Sequence, residues 1–238
     1  MKRVLLRRKG EPRMNRSIPS FSREQLRRDW PLLALILILF ALGIYFYPQL
    51  PERVPSHWNI RGEVDGYSNR FFGAFGLPLL NLGIYILMLV APAIDPKKES
   101  YSRFVGAYDV IRWSIIAIMS LLHIVVLMAG LGYVIDAGKV VQPAVSVMFI
   151  LIGNQMGRFK HNYFVGIKTP WTLANKEVWR KTHRVSGPIW VVGGFIGLLG
   201  TWLPSPYNFT TMMVAIIGAS LVSLVYSYII FKKITIQE

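Results

Sequence analysis

The chain has 238 residues, no cysteine, and 27 Lys and Arg against 12 Asp and Glu, for a net charge of +15. Without cysteine there are no disulfides, no thiol catalysis and no Cys-ligated zinc. Hydrophobic residues make up 53% of the sequence and charged ones 16%, against roughly 25% charged in a soluble domain. The apolar residues also fall in long blocks, so the excess of positive charge is read as membrane topology rather than direct nucleic-acid binding.

In chain order, residues 1–29 carry ten Lys and Arg and no apolar periodicity. They are expected to form a polybasic tail on an anionic lipid surface. Ser22 and Gln25 make a weak capping box, which predicts a short helix from Ser22 to Asp29. Six apolar segments follow: Trp30 to Tyr47, Gly73 to Ala93, Arg112 to Ile135, Val140 to Gly153, Pro188 to Leu203 and Thr210 to Phe231. A spanning helix needs about 20 residues. The first, second, third and sixth segments reach this, the fourth needs Asn154 to Gly157 to complete it, and the fifth is short. The first segment is expected to be a retained anchor, since its basic leader is long and no small-residue cleavage site follows.

Of the 27 Lys and Arg, 23 fall in alternate connections: the leader, the second-to-third loop, the fourth-to-fifth loop and the C-terminus. The remaining four are Arg53, Arg61, Arg70 and Lys139. The positive-inside rule then predicts both termini and the large basic loop in the cytoplasm. The chain thus divides into a tail at 1–29, two spans with an external loop at 30–94, and four spans at 95–238 containing a cytoplasmic loop at 154–187.

The expected external loop runs from Leu50 to Ser68. Pro51 and Pro55 fix φ and remove donors, and Gly62 and Asp65-Gly66 are turn formers, so the stretch predicts a hairpin-like cap on the outer surface. His57, Trp58, Asn59, Asp65 and Tyr67 offer a recognition surface, against the plainer reading of a loop packed on helix ends. His57, Glu63 and Asp65 lack the spacing of a metal site, and neither metal nor cofactor is expected.

In the basic loop, Gly153 and Gly157 share a helix face and predict close approach to another helix, with Asn154 beside them. Thr169-Pro170 reads as an N-cap and first helical position, with Thr172 and Asn175 as rival caps. From Asn175 to about Arg184 an interfacial amphipathic helix is expected, with Trp171 and Trp179 as lipid anchors. It is either a basic helix on lipid or a docking surface for a partner. Thr182 and His183 have no carboxylate partner in a recognisable catalytic order, so no enzyme is predicted. His123 lies near the middle of the third segment, where an ionisable group needs a partner or a cavity.

Both unusual loops resemble one family. Residues Leu50 to Tyr67, with Pro55, His57-Trp58-Asn59, Gly62 and Asp65-Gly66-Tyr67, look like the domain of unknown function associated with the SdpI-type immunity proteins. The stretch from Gly153-Asn154 to Arg184 resembles the signature of that family: Asn162-Tyr163-Phe164-Val165-Gly166-Ile167, then Thr169-Pro170-Trp171-Thr172-Leu173, Val178-Trp179 and Thr182-His183-Arg184. The resemblance covers roughly residues 32 to 232. It implies an all-α membrane protein of about six helices in a bacterial cell membrane. It also implies protection against a secreted membrane-active toxin, the sporulation-delay toxin, with the outer loop facing the toxin. The inner loop would then hold a small transcriptional repressor at the membrane. The competing reading is a transporter or channel with His123 and Asn154 lining its path, for which inverted repeats would be expected.

Overall fold

The computed structural model describes residues 23–236. The order of elements is α1 (Arg23–Phe46), β1 (Arg53–Trp58), β2 (Val64–Asn69), α2 (Leu77–Ile94), α3 (Val105–Gly130), α4 (Ala137–Met156), α5 (Pro170–Ala174), α6 (Lys176–Gly200) and α7 (Tyr207–Thr235). Among the described residues, five helices are long and apolar enough to cross a membrane: α1, α2 with the π-helical turn Phe72–Gly76 that leads into it, α3, α4 and α7. The chain is an all-α membrane protein, with one two-stranded sheet among the described residues.

The fifth apolar segment is the second half of a longer helix. The expected interfacial helix and the Pro188 to Leu203 segment form one continuous helix, the 25-residue α6. Asn175 starts it by accepting the Glu177 and Val178 amides, which satisfies two of the orphan donors at a helix N-terminus. Its first turns are basic and its second half apolar. Pro188 sits exposed within it. α3 also begins earlier than its apolar pattern, at Val105, so Arg112 is well inside the helix and not at a loop border. The Ser22 cap and most of the leader lie outside the described residues. Gln25 to Asp29 continue directly into α1.

α4, α6 and α7 form one tightly packed group, and glycine sets its spacing. A Cβ at Gly153 would lie 2.9 Å from the Gly187 carbonyl oxygen, and one at Gly187 would lie 2.8 Å from the Gly153 oxygen. Backbones this close bring helices together where lipid supplies no hydrophobic drive. The partner of Gly153 is therefore Gly187 of α6. Gly157, expected on the same face, has no neighbour within 4 Å of an added Cβ and instead caps the exposed end of α4.

The sheet joins α1 to α2. Its strands pair antiparallel, with Arg53 opposite Asn69, Pro55 opposite Tyr67 and Trp58 opposite Val64. Val54 is 0% exposed and sits with Leu50, Ala74, Val126 and Leu127, and the Gly130 end of α3 lies against Leu50 and Val54. The hairpin is thus rooted in the bundle at one end, called here the hairpin end. The opposite, basic end carries the Lys98–Arg103 turn and the connection between α4 and α6.

Candidate functional site

At the hairpin end the chain encloses a cleft of about 470 Å³. Its roof is Ser56 to Gly62, and its walls come from α3, the start of α4 and the connection from α6 to α7. Leu122, Val125, Leu203, Phe209 and Met212 make much of the wall apolar, while Asp136, Gln142 and Asn208 add polar groups. Gln142 is buried, and its Oε1 has no hydrogen-bond partner. An unmet buried acceptor is costly unless water or a ligand satisfies it. The cleft suits an amphiphilic ligand that presents both apolar surface and hydrogen-bond donors.

The roof residues hold their shape through one another. The Asn59 side-chain oxygen accepts the Arg61 and Glu63 amides at 2.8 and 3.0 Å, and its amide donates to Glu63. Gly62 takes φ +81°, which an L side chain rarely adopts. His57 pairs with Asp65 across the strands in an exposed contact, and Gly66 faces His57 so closely that a Cβ there would lie 2.8 Å from the histidine Cβ. Tyr67 is exposed beneath the Arg53 guanidinium, 4.9 Å from its ring. His57, Trp58, Asn59 and Gly62 line the cleft; Pro55, Asp65, Gly66 and Tyr67 are not among its lining residues.

At the basic end the segment from Gly157 to Thr169 is folded over the first turns of α6. Asn162 is fully buried. Its oxygen accepts the Phe164 and Val165 amides at 2.9 and 2.8 Å, and its amide donates to the Lys160 and Val165 carbonyls. Asp95 ties this segment to the end of α2 by accepting from the Tyr101 hydroxyl at 2.8 Å and the Tyr163 amide at 2.9 Å. Gly166, at φ +113°, passes directly over the His183 and Trp179 rings. Thr169 and Thr172 complete a reciprocal capping box for α5, with Pro170 at its first position.

Trp179 is not a lipid anchor. Trp179 is 2% exposed, stacks on His183 at 4.1 Å and donates to the Phe159 carbonyl. Trp171 donates from Nε1 to the Ser227 hydroxyl of α7, fastening α5 to that helix. The buried stripe of α6 runs through Val178, Trp179, Thr182, His183 and Ser186, whereas Asn154 and Arg184 face outward.

His183 precedes the apolar half of α6. With its proton on Nδ1 it donates to the Trp179 carbonyl at 2.8 Å, and Nε2 accepts the Ile167 amide at 2.9 Å. A second proton would set one donor against another. Burial pushes its pKa down from 6.5 to about 4. The unfolded ring gains a proton below pH 6.5 and the folded ring only near pH 4, so stability from His183 is complete above pH 6.5 and is lost as pH falls toward 4. The expected loss is on the order of 3 kcal/mol. Melting of the detergent-solubilised protein between pH 7 and 4.5 tests it, because His183→Gln should show a visibly flatter pH dependence than wild type.

The sequence reading missed the strongest polar cluster. Arg112 of α3 forks onto Asp29 of α1, Nη1 to Oδ2 at 2.9 Å and Nη2 to Oδ1 at 2.6 Å. Nη2 also reaches Asp109, while Tyr85 of α2 and Gln25 donate to Asp29. Asp29 and Arg112 are 0% and 2% exposed. By sequence alone Asp29 belongs to the tail and Arg112 counts as a topological charge. The available signal was one acid at the edge of an apolar segment and one base within reach of another. His123 is fully buried with the Leu39 backbone of α1 beside it, and it is not among the residues lining the cleft. Among the described residues no group of three His, Asp or Glu side chains could hold a metal ion.

These features define a multi-pass membrane protein with a roofed cleft at one end and a folded basic loop at the other. Its sequence matches two known families: residues 158–230 match the SdpI/YfhL protein family, and residues 34–82 match a domain of unknown function, DUF1648. Over that C-terminal segment the chain is similar to the SdpI/YfhL family. It is similar to the Immunity protein SdpI of Bacillus subtilis (strain 168), with 24% identity over 202 residues, covering 85% of this chain and 95% of that protein. No solved structure matches it.

Proposed function

We propose that the chain is a membrane immunity protein that captures a secreted membrane-active peptide in the cleft beneath the hairpin. The observation that carries this reading is the cleft itself, about 470 Å³ with an apolar wall and a buried unmet acceptor. It suits a peptide that arrives through the lipid headgroups with apolar side chains and free amides. Similarity to an immunity protein over most of both chains supports it. In this reading the hairpin end faces outside and the basic end faces the cytoplasm, as the distribution of Lys and Arg favours. The loop from Gly153 to Arg184 holds a small repressor there when the cleft is filled. A ligand outside can shift that equilibrium only by binding one of two states better.

The experiment is survival of a sensitive bacterial host exposed to the sporulation-delay toxin. Wild-type protein is expected to protect. Leu203→Trp, which narrows the cleft from an exposed position, is expected to weaken capture about tenfold, about 1.4 kcal/mol, and so to lower survival at equal membrane levels. Killing that wild-type expression leaves unchanged would reject the immunity role for this chain.

A further inference from the structure

A second cavity, of about 440 Å³, opens at the basic end between three stretches of chain: Pro96 to Arg103, Gly157 to His161, and Lys176 to Arg180. Lys97, Lys98, Arg103, Lys160, Lys176 and Arg180 all line it, and Glu99 is the one acid that does. Among the described residues only Arg180 of these six has a carboxylate within ion-pair distance, the exposed Glu177. Like charges drawn together by a fold repel one another unless something screens them. The floor is rigid: Trp179 is locked by its bond to the Phe159 carbonyl, and His161 is nine-tenths buried. Its ring nitrogens are buried, with the Leu173 backbone beside the ring.

We propose that this basin binds a phosphate-bearing anion, held by Arg103 and the four lysines that line it without a carboxylate partner. An ammonium ring around one tetrahedral anion satisfies charges that the protein leaves unpaired. The basin lies beside the ends of the spanning helices α2 and α4, and basic pockets at such ends take anionic lipid headgroups. The same chemistry would accept a soluble organic phosphate. This inference does not depend on the cleft at the other end or on what it binds.

The test uses the full chain in detergent, as wild type and as Lys98→Gln/Lys160→Gln/Lys176→Gln. Phosphatidylglycerol, phosphatidylcholine, glycerol 3-phosphate and a polyglutamate peptide are each added. Native mass spectrometry and melting temperature are the readouts. Phosphatidylglycerol is expected to be retained over phosphatidylcholine and to raise the melting temperature, with the triple variant binding roughly 100-fold more weakly. An equal shift by glycerol 3-phosphate assigns the source to a free phosphate compound. The ligand-free triple variant is expected to melt no lower than wild type, because repulsion has been removed. If it misfolds, the single variants Lys98→Gln and Lys160→Gln, both at exposed positions, should each show a partial loss. Equal retention of both lipids by wild type and variants, with no shift from glycerol 3-phosphate, overturns the proposal. So does a shift from polyglutamate alone, which points to an acidic protein partner.

Discussion

Arg112→Met is expected to destabilise the protein by about 3–5 kcal/mol, the range seen when one partner of a buried ion pair is removed. The loss comes from what remains. Asp29 stays fully buried, and Tyr85 and Gln25 alone cannot neutralise its carboxylate. Three helices meet at this point, so the damage spreads to the seating of α1 and α2 against α3. The companion double variant Asp29→Asn/Arg112→Met removes both charges and should recover much of the stability, since replacing a whole buried pair is often close to neutral. Thermal melts of the four proteins of the cycle in one detergent give the coupling directly. Additive losses from the two single substitutions would show that Asp29 and Arg112 do not act as a pair. Arg112→Lys should fall between, because an ammonium keeps the charge but not the two-pronged geometry.

Gly166→Val should be the second most damaging substitution, at about 2–4 kcal/mol from backbone strain and overpacking together. Valine cannot reach φ +113° without strain. Its side chain would also be driven into the His183 ring, with Trp179 immediately behind. The segment from Gly157 to Thr169 would lift, breaking the Ile167 to His183 bond and the contacts of Asn162. Limited proteolysis at Lys160 and Lys168 reports this locally, and the melting temperature reports it globally. Gly166→Val protein that resists protease as wild type does would show that the loop tolerates another path. Gly166→Ala should lie between the two.

The spans were legible because lipid demands long apolar runs, and those runs are plain in the sequence. The hairpin was legible for the opposite reason: prolines, Gly62 and Asp65-Gly66 interrupt the apolar pattern at turn positions. Two kinds of information were not. The amphipathic pattern from Asn175 to Arg184 resembles that of a surface helix, because a face buried against a loop and a face buried in lipid have the same periodicity. Only the folding of the Gly157 to Thr169 segment over Trp179 separates them. Charges inside apolar helices were equally opaque. Asp109 and Arg112 shorten the apparent third span, since the pairing of Arg112 with Asp29, some eighty positions away, is a tertiary event. In the same way Gly153 declares a close approach but not its partner, which is Gly187 of α6. Of the candidate site, the roof residues Asn59 and Gly62 stood out locally, whereas Gln142, Asn208 and Met212 gave no local sign, because a cleft wall is assembled from helix ends distant in sequence.

The rooting of the hairpin through Leu50 and Val54 divides it into two parts with different freedoms. Its base is keyed into Ala74, Leu127 and Gly130 and must change in concert with them. Its tip from Asn59 to Glu63 is closed by its own side chain and backbone bonds. Tips of the same length could be grafted between relatives as cassettes, changing what lies over the mouth of the cleft while the keel below stays as it is.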